Sequence, residues 1–124
     1  MTAWIKKFGN ALAGCRWAFR TQSSFWVHVT VSVLVISVSI WLGLTPVQWS
    51  VITLCIGIVI AAELFNTAIE QIVQVLHPAE EPRLGRALDM AAGAVLVLAV
   101  AAAAVGTITL LPPLWQAVVG MTFD

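Results

Sequence analysis

Three long apolar stretches, separated by short polar breaks, organise the chain. The first runs from Phe25 to Leu44, with His28 as its only titratable residue. As a helix it covers about 30 Å, the thickness of a hydrocarbon core. The second begins at Val47 and stays apolar through Ala62, then meets Glu63, Asn66 and Glu70 before ending at Leu76. The third runs from Ala87 to Leu111, where Pro112 and Pro113 are expected to stop it. Leu44-Thr45-Pro46 reads as an uncharged turn, and His77 to Arg86 as a polar loop. The pattern predicts an all-α membrane protein with helices over 25–44, 47–76 and 87–111.

Residues 1–21 carry a different pattern. Trp4, Phe8, Leu12, Cys15 and Phe19 share one helical face, with Lys6, Asn10, Ala13 and Arg20 away from it. A basic amphipathic helix of this kind either lies flat at a membrane surface or packs on the ends of the spans. Both readings put it at the same depth.

Composition excludes most alternatives. The chain is 60% hydrophobic and 10% charged, with a mean hydropathy of +0.98, against about 45–50% and about 25% in soluble domains. The length of 124 residues suits a single domain over 1–124. Zero formal net charge favours neither nucleic acid nor an acidic partner. The opening residues lack the short apolar core and cleavage site of a secretory signal, so none is expected. Cys15 and Cys55 have no metal or CxxC spacing and are expected to be free thiols. All six basic residues lie before the first span or between the second and third. The positive-inside rule therefore predicts a cytoplasmic N-terminus and an outside C-terminus.

The candidate chemistry sits in the second span. Glu63, Asn66 and Glu70, at i, i+3 and i+7, line one helical face, with Thr67 beside them. Glu63 falls about 24 Å along the helix, near the inner interface. Asp89 opens the third span from the same side, so topology gathers all four polar residues at one depth. Two carboxylates and an amide can hold a divalent cation through oxygen, and an unbound carboxylate can deprotonate a hydroxyl. The alternative is pairing with Arg16, Arg20 or Arg86 to fasten helices together. A lone His28 is read as hydrogen-bonded to a neighbouring helix or snorkelling before it is read as a ligand. Trp26, Trp49 and Trp115 suit an interfacial belt. The alanines after Asp89 let helices approach closely. No Walker or Rossmann motif is present.

The segment AAELFNTAIEQIVQVLHP, from Ala61 to Pro78, followed by GRALDMAAGAVLV, from Gly85 to Val97, resembles the small integral-membrane bacterial diacylglycerol and undecaprenol kinases. The signature E-x-x-N-T-A-I-E is matched by Glu63, Asn66, Thr67, Ala68, Ile69 and Glu70, and its second part by Asp89. SSFWVH is similar to the family's entry into its first span and leans towards the undecaprenol-type members. The resemblance implies an ATP-dependent lipid kinase of the bacterial inner membrane. It would be a homotrimer with active sites between subunits at the inner interface. Glu63 would be the general base and Asn66 part of the same catalytic face. Glu70 would bind the Mg²⁺ that accompanies ATP, Asp89 would act nearby, and Gly85 would lie close to the nucleotide.

Three positions depart from the family pattern. An acidic metal ligand ahead of the first span is Gln22 here, an Asp one turn after the motif is Gln74, and a phosphate-binding Lys is Leu88. Gln22 can still offer an oxygen to metal or nucleotide, and Arg86 or Arg83 can replace the lost cation. The same departures fit a catalytically impaired member that binds lipid or nucleotide. A small proton-coupled transporter using Glu63 is a further alternative.

Overall fold

A computed structural model describes residues 2–76, 79 and 81–123. It is all-helical: α1 (Thr2–Thr21), α2 (Ser23–Leu42), α3 (Pro46–Leu76) and α4 (Pro82–Phe123). The last three are each long and apolar enough to cross a membrane, the mark of a multi-pass membrane protein.

Local chemistry explains the helix ends. α2 stops at Leu42, not at the expected Leu44, because Gly43 adopts the left-handed conformation at φ 65°. Its N–H donates to the carbonyls of Ser39 and Ile40, which would otherwise lack partners. Two residues later Thr45 and Gln48 cap α3 reciprocally. The Gln48 N–H donates to Thr45 Oγ1 at 3.3 Å, and the Thr45 N–H donates to Gln48 Oε1 at 2.9 Å. Pro46 takes the first helical position, where its missing N–H costs nothing.

α4 corrects the expected third span at both ends. It begins at Pro82, five residues before Ala87, because Glu81 caps it: Oε2 accepts from the N–H groups of Arg83 and Leu84 at 2.9 and 3.1 Å. The expected polar loop is correspondingly shorter. His77, Pro78 and Glu80 of that loop lie outside the described residues, as does Met1 of the first helix. At the far end α4 runs through Pro112 and Pro113 to Phe123. Proline removes a hydrogen bond but its φ suits a helix, and membrane helices tolerate it where freed carbonyls find other partners. Nearby hydroxyls stay satisfied within the helix, with Thr107 and Thr109 donating to the carbonyls of Ala103 and Val105.

α3 and α4 form the most extensive pair, as the small-residue surface of α4 allows. Little else is buried in a single chain. Phe25 and Ile52 are enclosed, and Ser39 bonds its own helix at the Val35 carbonyl. α1 touches the bundle near its C-terminal end, where Ala18 is buried and the Phe19 ring meets Phe25 at 4.8 Å. The rest of its apolar face, including Trp4, Phe8 and Leu12, is open. Phe25→Ala is therefore expected to loosen α1 and destabilise the bundle by on the order of 3 kcal/mol. Thermal unfolding in detergent, with tryptic cleavage at Arg16 and Arg20 followed in parallel, measures both effects. An unchanged midpoint and cleavage rate would contradict this role.

Candidate functional site

The face of α3 that carries Glu63, Asn66 and Thr67 is buried, with Glu63 only 6% and Asn66 8% exposed. A carboxylate at such a place needs partners. α2 supplies them. Ser24 and His28 stand one turn apart on α2 and so share a face. Ser24 Oγ donates to Glu63 Oε1 at 2.6 Å, a short hydrogen bond. His28 Nε2 lies 3.5 Å from Glu63 Oε2. The two oxygens of Glu63 thus meet two different side chains of one neighbouring helix.

One helical turn from Asn66, Glu70 is half-buried and its Oε1 accepts from Asn66 Nδ2 at 3.1 Å. Asn66 Oδ1 is buried and has no hydrogen-bond partner among the described residues. Leaving such an oxygen unsatisfied costs about 1–3 kcal/mol, so it calls for a donor or cation from outside the chain. Together, the Glu70 carboxylate and this free amide oxygen fit a hard cation, which takes oxygen ligands and leaves other positions to water and phosphate.

The remaining expected residues sit apart. Asp89, Gly85 and Arg86 are exposed near the start of α4, and no bond or ion pair joins Asp89 or Arg86 to the α3 acids among the described residues. The gathering of four polar groups expected from topology is thus, in one chain, a gathering of three on α3. Gln22 precedes α2, and its Nε2 lies 3.5 Å from Thr21 Oγ1, with no bond to Glu70. Arg16, Arg20 and Arg86 pair with no described carboxylate, so helix fastening by arginine is not observed. Glu63 is instead held by Ser24, which sequence reasoning overlooked, and approached by His28. Their i, i+4 spacing at the start of the first span was the available signal.

An apolar cavity of about 580 Å³ adjoins this cluster. His28 is part of its wall, and Ile52, Cys55 and Val59 of α3 face Ala103, Gly106 and Thr107 of α4 across it. Cys15 and Cys55 are free thiols. Through His28, which lines the cavity and lies 3.5 Å from Glu63, the apolar slot is linked to a buried carboxylate.

This chain is similar in sequence to known proteins. Residues 9–110 match the family model described as prokaryotic diacylglycerol kinase. A diacylglycerol kinase of Synechocystis sp. is 40% identical over 111 residues, which cover 89% of this chain and 63% of that protein. An undecaprenol kinase of Bacillus subtilis is 33% identical over 114 residues, covering 92% of this chain and 93% of that protein.

Proposed function

Because the chain belongs to the prokaryotic diacylglycerol kinase family, we propose that it transfers the γ-phosphoryl group of ATP to a membrane lipid alcohol, diacylglycerol or undecaprenol. The observation that carries this reading is the buried Glu63 carboxylate beside His28, a side chain that lines an apolar cavity. The carboxylate meets the hydroxyl while the cavity takes the hydrocarbon chain.

Glu63 accepts the hydroxyl proton as the lipid oxygen attacks the γ-phosphorus. A new O–P bond forms, the β–γ bridging bond breaks, and ADP leaves in line with the attack. Asn66 orients the groups between base and nucleotide. Glu70, the Asn66 amide oxygen and Gln22 would hold Mg²⁺, which when bound offsets phosphate charge. Gly85 and Arg86 bind the nucleotide from α4, and Asp89 acts beside them. The protein's main work is to position substrates drawn from two phases.

Asp89, Gly85 and Arg86 are exposed, and neither Asp89 nor Arg86 bonds the α3 acids of the same chain among the described residues. That supports a homotrimer in which a neighbouring subunit completes each site. The open apolar face of α1, with Lys7 Nζ 5.2 Å from the Trp4 ring centroid, supports an interfacial helix at the inner surface of the bacterial cytoplasmic membrane. In this arrangement the N-terminus faces the cytoplasm and the C-terminus lies outside.

The decisive assay presents purified protein in detergent with γ-labelled ATP and a panel of diacylglycerol, undecaprenol and shorter analogues. Label should enter at least one lipid alcohol, and label in none would end the kinase reading. Within it, Arg86→Ala should raise the KM for ATP about tenfold with the lipid KM unchanged, since one phosphate contact is lost; unchanged ATP affinity would remove Arg86 from the site. A second reading, a member that binds nucleotide without turnover, draws on Leu88, an apolar side chain where the family pattern carries a cation. Saturable ATP binding with no transfer to any lipid would identify it.

A further inference from the structure

We propose that Ser24 and His28 are positioning residues for Glu63: together they fix the plane of its carboxylate on the side of His28, the residue through which it is linked to the apolar cavity. The inference rests on the lipid-kinase reading and adds two residues to its machinery. Three observations carry it. First, the two side chains approach different oxygens of one carboxylate, Ser24 at Oε1 and His28 at Oε2. A carboxylate held at one oxygen still turns about its last bond, whereas a second group beside the other oxygen narrows that turn. Second, Ser24 and His28 lie on one face of α2, and Phe25 between them is fully enclosed, with its ring against Phe19. That anchor sets the rotation of α2, so both groups face the Glu63 carboxylate from successive turns. Third, His28 belongs to the cavity wall as well as to the carboxylate cluster. It is the residue common to the acid and to the slot proposed for the chain.

The 2.6 Å contact is a full hydrogen bond, while the 3.5 Å contact is within ion-pair reach but longer than a direct bond. Catalytic contacts of this kind shorten when substrate fills the site. A lipid hydroxyl entering beside His28 closes the gap, with Nε2–H donating to Oε2. Glu63 keeps its remaining lone pairs for the incoming proton. Among the described residues, Glu63 is the titratable group paired with His28.

The test compares His28→Leu, which fills the same wall without a donor, with His28→Gln, which restores one. Lipid phosphorylation is followed at saturating ATP. H28L should lower kcat about 30-fold with the KM for ATP within twofold of wild type, and H28Q should recover most of that loss. Ser24→Ala should cost about tenfold and Ser24→Thr little. On an E63Q background, H28L and S24A should add no further loss, since both act through the carboxylate. Full activity of H28L would overturn the proposal, as would H28Q as slow as H28L, or equal further losses on the E63Q background. If H28L fails to fold, the S24A and S24T pair, alone and combined with E63Q, decides by the same criteria. Wild-type protein that labels no lipid would instead strike at the kinase reading itself.

Discussion

Glu63→Gln should lower lipid phosphorylation about 10²- to 10⁴-fold, the usual yield of a positioned general base. The substitution keeps size and a hydrogen-bonding oxygen for Ser24 while removing the group that takes the proton. Its effect should fall on kcat, because the amide still occupies the same place beside α2. ATP binding should survive, since the groups proposed for the nucleotide lie elsewhere, on α4 and around Glu70. The comparison needs three measurements on one preparation: steady-state transfer, equilibrium ATP binding and thermal midpoint in detergent. A variant that keeps wild-type kcat would remove Glu63 from the chemistry. A variant that loses ATP binding along with kcat would show that the residue belongs to the nucleotide subsite instead.

The second large effect is expected at Glu70. Glu70→Ala removes the charged member of the oxygen pair that it forms with Asn66. The rate at low magnesium should fall at least about 100-fold, and the concentration for half-maximal rate should rise. Such a shift is what losing a carboxylate that would hold Mg²⁺ should produce. Glu70→Asp should fall between the two. The check is a magnesium titration at fixed ATP for all three proteins. An E70A curve that overlays wild type would place the cation elsewhere. The two substitutions differ in kind: magnesium should partly relieve the loss at Glu70 and leave the loss at Glu63 untouched.

The membrane helices were legible because lipid imposes a simple rule on long stretches of chain. The α3 motif was legible because carboxylates among apolar residues are rare enough to stand out. Helix ends were read less well, since they depend on single residues acting through geometry. Gly43 ended α2 early, Glu81 started α4 early, and the proline pair did not stop it. Prolines read as terminators in water, where an alternative chain path is available; in lipid, abandoning the helix would expose many more backbone groups. The partners of Glu63 were hardest to see. Ser24 is an ordinary hydroxyl at a helix start, and His28 has many innocent uses. Their meaning arises only when α2 is laid against α3, a contact between residues 39 positions apart. Asp89 shows the converse, since shared depth gave it no hydrogen bond or ion pair with the α3 acids of its own chain among the described residues.

The sharp bend at Gly43, Leu44 and Thr45 makes α2 and α3 a hairpin whose two arms are measured from a common origin. Ser24 and His28 meet Glu63 only because each arm brings its residue back to the same level after a set number of turns. One residue added to or deleted from either arm between the bend and the acid would swing everything beyond it by about 100°. Spacing along these arms should therefore tolerate far less change than the lipid-facing side chains that decorate them, and length variation among working relatives should collect outside the hairpin.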